Sequence, residues 1–91
     1  MKISNLFCTQ GVANIMNNKE ISKFINESLN KFLNKDWGDI SEDDKTLNDI
    51  AINEGDRILG VYSFKKNRIW IIAEASDSNK RTVTILLPEE Y

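Results

Sequence analysis

The sequence predicts an α+β domain in which two to three N-terminal helices pack on one face of a three-stranded antiparallel sheet, four-stranded if Ile3 to Cys8 joins it. Three observations lead there. Apolar residues recur at helical steps between Asn17 and Ala51, β-branched and aromatic runs replace them after Arg57, and 91 residues are enough for one hydrophobic core. The chain is therefore expected to be a single domain over residues 1–91, helical over about 9–54 and a β-meander over about 57–88.

Each element has a local reason. Ile3 to Cys8 is a short apolar run suited to an edge strand. Thr9 then offers a side-chain oxygen as a helix N-cap, and Gly11 to Met16 supply one or two turns. Asn17 followed by Glu20 has capping-box spacing, after which Ile21, Phe24, Ile25, Leu29, Phe32 and Leu33 fall on one helix face. Lys31 and Lys35 suit the negative pole at its end, and Gly38 lies just beyond. Ser41 with Asp44 repeats the capping pattern, with Glu42, Asp43 and Asp44 in the first turn. Leu47, Ile50 and Ala51 are the expected buried stripe of that helix, and Gly55 suits the left-handed position past its end. Ile58 to Phe64 and Arg68 to Ala75 form a hairpin around the polar turn Lys65-Lys66-Asn67. Arg81 to Leu87 adds a third strand, which Pro88 ends.

Composition excludes several classes of function. Twelve Lys and Arg against fourteen Asp and Glu give a net charge of −2, so there is no basic excess for sequence-independent nucleic-acid binding or a polybasic membrane signal. No apolar run approaches the ~18 residues of a spanning helix, and the opening residues lack the apolar stretch and cleavage site of a signal peptide, so a cytoplasmic location is expected. One cysteine and no histidine exclude an internal disulfide, a structural zinc site, a Ser-His-Asp triad and a Cys-His dyad. Cys8, within an apolar run, is expected to be a small buried hydrophobe.

The small net charge conceals an uneven distribution. Residues 1–35 hold five bases and two acids, residues 36–56 one base and eight acids, and residues 57–91 six bases and four acids. The acidic stretch surrounds Asp36-Trp37-Gly38-Asp39 and runs on through Glu42, Asp43 and Asp44. These residues fit a recognition loop, with Trp37 as an exposed anchor and Asp36, Asp39, Glu42, Asp43 and Asp44 facing a basic partner. The alternative is that Trp37 closes the core between two helices while the acids cap the second. Clustered carboxylates also suit a hard cation, but the alternating ligands and central glycine of a calcium loop are missing, so no metal and no cofactor are expected.

Secondary candidates are Arg57, Tyr62, Trp70 and Glu74. Tyr62, Phe64 and Trp70, with Lys65, Lys66 and Arg68, have the composition of a single-strand nucleic-acid platform, although a period of two turns at least one aromatic into the core. Glu74, Asp77, Arg57, Arg68 and Arg81 lie at strand ends or in turns and read as surface charge. An exposed edge strand would also offer a homodimer contact.

From Trp37 onward the chain resembles a family. The likeness rests on Asp36-Trp37-Gly38-Asp39; Glu42-Asp43-Asp44-Lys45 with Asn48; Gly55-Asp56-Arg57-Ile58-Leu59 followed by Tyr62; Ile69-Trp70-Ile71-Ile72 with Glu74-Ala75; and Thr84-Ile85-Leu86-Leu87-Pro88-Glu89-Glu90-Tyr91. This ordered set is similar to a family of short, largely uncharacterised plasmid- and prophage-borne bacterial proteins, some labelled restriction-modification subunits despite their length. The first 35 residues match more loosely, through Thr9-Gln10-Gly11-Val12, where the family favours proline in place of Gln10. Relatives carry a compact Glu-Ala-Asp-Arg turn after the tryptophan strand, whereas here Glu74-Ala75 leads into the longer Ser76-Asp77-Ser78-Asn79-Lys80-Arg81. The resemblance implies a mobile-element setting in a bacterial cell rather than a reaction. The leading expectation is thus a non-catalytic protein that binds a basic surface of a host nucleic-acid-handling complex and modulates or inhibits it, as an anti-CRISPR or anti-restriction protein does. A single-strand nucleic-acid-binding domain is the alternative, and a metal-dependent nucleotide enzyme using Glu74 is third.

Overall fold

Strands open and close the chain, with the helices between them. The computed structural model describes residues 1–91 as β1 (Lys2–Cys8), α1 (Gln10–Ile15), α2 (Lys19–Leu33), α3 (Glu42–Glu54), β2 (Ile58–Phe64), β3 (Asn67–Ala73), β4 (Lys80–Leu86) and a 3-10 turn over Pro88–Glu90. The fold is α+β, with sheet order β1-β4-β3-β2. β2, β3 and β4 form the expected antiparallel meander, but β1 joins as a fourth strand running parallel to β4, so the sheet is mixed rather than antiparallel. No tight turn connects β1 to β4, and local sequence therefore does not set their relative direction. No helix is long and apolar enough to cross a membrane.

The helix starts follow from side-chain caps. Thr9 accepts from the Val12 N–H and Ser41 from the Asp44 N–H, as expected. For α2 the cap is Asn18 rather than Asn17, its oxygen accepting from the N–H groups of Glu20 and Ile21 at 2.8 and 3.2 Å. Gly55 ends α3 at φ +83°, a left-handed conformation that glycine adopts without steric cost.

Strand register separates two faces. Ile58, Tyr62, Ile69, Ile71, Ala73, Val83 and Ile85 share the face that Val12 of α1 and Ile21, Phe24, Ile25 and Phe32 of α2 cover. Leu33, expected on the buried face of α2, is exposed at its end. Cys8 is also exposed, because β1 is the outermost strand and nothing packs beyond it.

The third helix differs most from expectation. Leu47 and Ile50 are 62% and 49% exposed, and the residues α3 turns inward are Asn48 and Ala51. The reason lies in the sheet edge. The Asn48 amide donates to the Leu59 carbonyl at 2.8 Å and accepts from the Leu59 N–H at 3.5 Å, so α3 follows the outer edge of β2 instead of lying over the sheet. Farther along the same edge, the Val61 N–H donates to the Trp37 carbonyl and the Val61 carbonyl accepts from the Asp39 N–H. Gly38, at φ +80°, makes this approach feasible, since a Cβ there would collide with the Val61 carbonyl oxygen.

Arg81 is buried rather than a surface charge. Its guanidinium donates to the carbonyls of Asp56, Glu74 and Ala51, the last two at 3.2 and 3.0 Å. It thereby ties Ala51 in the last turn of α3 to the segments at Asp56 and Glu74, at an end where a cation also meets the negative pole of the helix. Arg81→Met should remove all three bonds, leaving the Asp56 and Glu74 carbonyls without this donor while Ala51 keeps the Gly55 and Asp56 N–H groups, and cost about 2–4 kcal/mol in urea unfolding, with Arg81→Lys intermediate because an ammonium cannot span all three.

Glu90 fastens the far end of the chain to the start of α1. Its carboxylate accepts from the Thr9 hydroxyl at 2.5 Å, the Leu87 N–H at 2.9 Å and the Gly11 N–H at 3.1 Å. The Thr9 hydroxyl above all, then the Leu87 amide, holds this carboxyl below its ordinary range. A carboxyl lowered in the folded state stabilises above its ordinary range and loses that contribution as pH falls through the folded value. Wild type should therefore exceed Glu90→Gln in thermal stability at neutral pH, with the gap closing on acidification; a gap independent of pH would contradict this role.

Candidate partner-binding face

The predicted loop does not present its tryptophan. Trp37 is 2% exposed, meets Phe32 edge-on with ring centroids 5.3 Å apart, and donates its indole N–H to the Asp49 carboxylate at 3.0 Å. The exposed-anchor reading is overturned. The side chain fills the corner between α2 and β2, where its ring buries more apolar area than any other residue type could.

Several acids of the 36–56 stretch are also committed internally. The Asp36 carboxylate accepts from the Gly38 N–H at 3.2 Å, and its carbonyl accepts from the Tyr62 hydroxyl at 2.8 Å. Tyr62 is buried, and that burial, with Asp36 nearby, raises its phenol above the ordinary range. Phe64 stacks on Phe24 with centroids 5.5 Å apart, so the expected hairpin platform keeps only Trp70 as an available aromatic. Glu42 pairs with Lys45 at 3.3 Å. Asp39 borders a separate hollow with Lys31 and Ser63.

Exposed apolar and acidic side chains lie together on α3. Asp43, Leu47, Ile50 and Glu54 are spaced by four, three and four residues, which places them along one side of the helix. All four are exposed, and neither carboxylate has a salt bridge. The result is an apolar pair between two free negative charges.

Beside this stripe lies a groove of about 430 Å³ lined by Ile40, Asp44, Leu47, Asn48, Arg57, Leu59, Trp70 and Tyr91. Arg57 donates to the Tyr91 hydroxyl at 2.7 Å and lies 4.9 Å from that ring's centroid, while Trp70 and Tyr91 are 5.3 Å apart. The groove thus brings together Asp44, Arg57 and Trp70 from the expected residues. Glu74 lies apart from it, exposed at the start of the β3–β4 turn, where its carbonyl serves Arg81. No three Cys, Asp or Glu side chains converge on a point where they could hold a metal ion.

Sequence reasoning missed Leu47, Ile50, Leu59 and Tyr91 as surface features. The available signal was the phase of α3: placing Asn48 and Ala51 inward turns Leu47 and Ile50 out. It carried little weight because asparagine is an unusual inward residue. In a Trp70→Phe variant the remaining indole, Trp37, should emit at short wavelength and resist acrylamide, whereas in Trp37→Phe the remaining Trp70 should be readily quenched. Comparison with known protein families, characterised proteins and solved structures finds no match to this chain.

Proposed function

We infer that this chain is a non-catalytic binding module whose α3 outer face docks on a basic surface of a nucleic-acid-handling complex and modulates or inhibits that complex. The observation that carries this reading is the stripe of Leu47 and Ile50 between the unpaired Asp43 and Glu54. Apolar side chains held in water gain free energy when a partner covers them, by roughly 25 cal/mol per Å² of area buried. The flanking carboxylates, with Asp44 in the groove, raise the association rate towards a positive surface and select against a negative one. Carboxylates presented in this way occupy positions where phosphates would otherwise lie. The resemblance to mobile-element proteins supports an anti-defence setting, such as anti-CRISPR or anti-restriction, within the bacterial cytoplasm.

A second reading has one supporting observation. The half-buried Trp70, with the exposed Tyr91 and Arg57, forms an aromatic and cationic edge of the groove, as in sites that stack single-stranded bases. It predicts salt-sensitive binding of short single strands that is lost in Trp70→Ala.

The leading reading is tested by capturing bacterial nucleic-acid-handling complexes on the immobilised chain and measuring rebinding of each captured partner. Asp43→Asn with Asp44→Asn should slow association about tenfold at low salt, with the difference shrinking as salt rises. Leu47→Ser with Ile50→Ser should speed dissociation by a similar factor while unfolding stability stays near wild type. Unchanged binding in both double variants at low salt would refute the α3 face as the site.

A further inference from the structure

β1 is the strand edge that the chain leaves uncovered. At the opposite edge, Asn48 closes the backbone of Leu59, and residues 37–39 close that of Val61. Just past β1, the Thr9 backbone N–H donates to the Ile85 carbonyl at 3.1 Å, and the ladder register runs through Phe7↔Thr84 and Cys8↔Ile85. Backbone groups alternate in direction along a strand, so Asn5, Phe7 and Thr9 turn theirs towards β4 while Leu6 and Cys8 turn theirs outward. These outward groups have no strand beside them.

The usual protections of a free edge are missing from this segment. β1 spans seven residues, contains no proline and carries no charge after Lys2. Its one irregular step lies between Ile3 and Asn5, leaving Leu6 to Cys8 regular. The side chains of that regular part are apolar and in solvent, with Leu6 48% and Phe7 57% exposed and Cys8 exposed.

We propose that two copies of this chain pair antiparallel through β1 about a two-fold axis at Phe7, joining their sheets into one. In this register Leu6 stands opposite Cys8 of the second copy, and each such pair exchanges both of its outward N–H and C=O groups. Phe7 stands opposite its own symmetry mate, on the face away from the helices. The larger Leu6 meets the smaller Cys8 at both ends, so the patch matches itself, as an isologous contact requires. Centring on Phe7 also keeps the irregular Ile3–Asn5 step outside the paired stretch. Charge favours a second copy in this direction. Lys2 is the only charge on β1, and antiparallel pairing puts the two lysines at opposite ends of the ladder, whereas parallel pairing would set them side by side. The segment bears no charge that would select a foreign strand.

The contact is distinct from the α3 face and does not rest on its function. Sedimentation of the full chain under reducing conditions, from micromolar to millimolar concentration, should show a monomer–dimer equilibrium that Phe7→Lys weakens at least tenfold. Phe7 is already exposed, so this variant should keep the wild-type far-UV spectrum. Register is tested with Phe7→Cys in a Cys8→Ser background, where directly opposed Cα atoms about 4.5 Å apart fall within disulfide range, and mild oxidation should give a covalent dimer. A chain that stays monomeric throughout overturns the proposal. So does a dimer that survives Phe7→Lys but is lost on Leu47→Asp with Ile50→Asp, and failure of the Phe7→Cys variant to cross-link overturns the Phe7-centred pairing.

Discussion

The rest of the architecture depends on how the outer backbone of β2 is satisfied. An edge strand exposes alternating N–H and C=O groups, and each one removed from water without a partner costs about 1–3 kcal/mol. Here Asn48 acts as a substitute peptide for Leu59, and residues 37–39 supply real peptides for Val61. Once Asn48 must reach β2, the rotation of α3 about its own axis is fixed. Ala51, one turn on, then meets the core, and Leu47 and Ile50 must face outward. The same constraint places Asp44 and Leu47 over one wall of the groove and Trp37 in the corner beneath the loop.

Charge in this chain serves two purposes that composition cannot separate. Asp49 holds an indole, Asp36 holds a turn, and Glu90 holds α1 to the end of the sheet. Arg81 answers three carbonyls where a surface arginine would meet water. These groups stabilise through specific hydrogen bonds, and their contribution depends on geometry more than on ionic strength. Asp39, Asp43, Asp44, Glu54 and Asp56 of the 36–56 stretch have no such side-chain partner and are free to act on a distant positive surface. The acidic block of the sequence is thus smaller, as an external field, than its count of carboxylates.

What the sequence made legible was local. The caps at Thr9 and Ser41, the left-handed Gly55 and the β2–β3–β4 meander all depend on neighbours within a few residues, and they are present in the fold. The direction of β1 was not legible, because its pairing with β4 spans the whole chain. Arg81 was not legible either: its acceptors are backbone carbonyls of residues 51, 56 and 74, and side-chain identity carries no trace of them. Trp37 was open to two readings from sequence, and packing against Phe32 with a bond to Asp49 decides for the core. Leu47 and Ile50 misled because three- and four-residue spacing identifies a helix face without saying what that face meets.

The two edges of the sheet therefore have opposite fates, and this affects what the molecule can present. β1 and β2 are separated by two intervening strands, so at about 4.8 Å per strand β2 lies some 14 Å from the open edge, with α3 beyond it. Occupation of one need not obstruct the other. In a pair joined through β1, the two β2 edges stand seven spacings apart, about 34 Å, with an α3 face at each end of one continuous sheet. A two-fold axis through the joined edge relates those faces, so a single extended partner with one polarity would meet them in opposite senses. Two separate basic surfaces, or one partner that is itself two-fold symmetric, would meet both equivalently. The strength of such a two-site contact is set by whether the partner's sites match the separation of the two α3 faces, which exceeds the roughly 34 Å between the β2 edges, since linked sites reinforce one another only when geometry lets both be occupied.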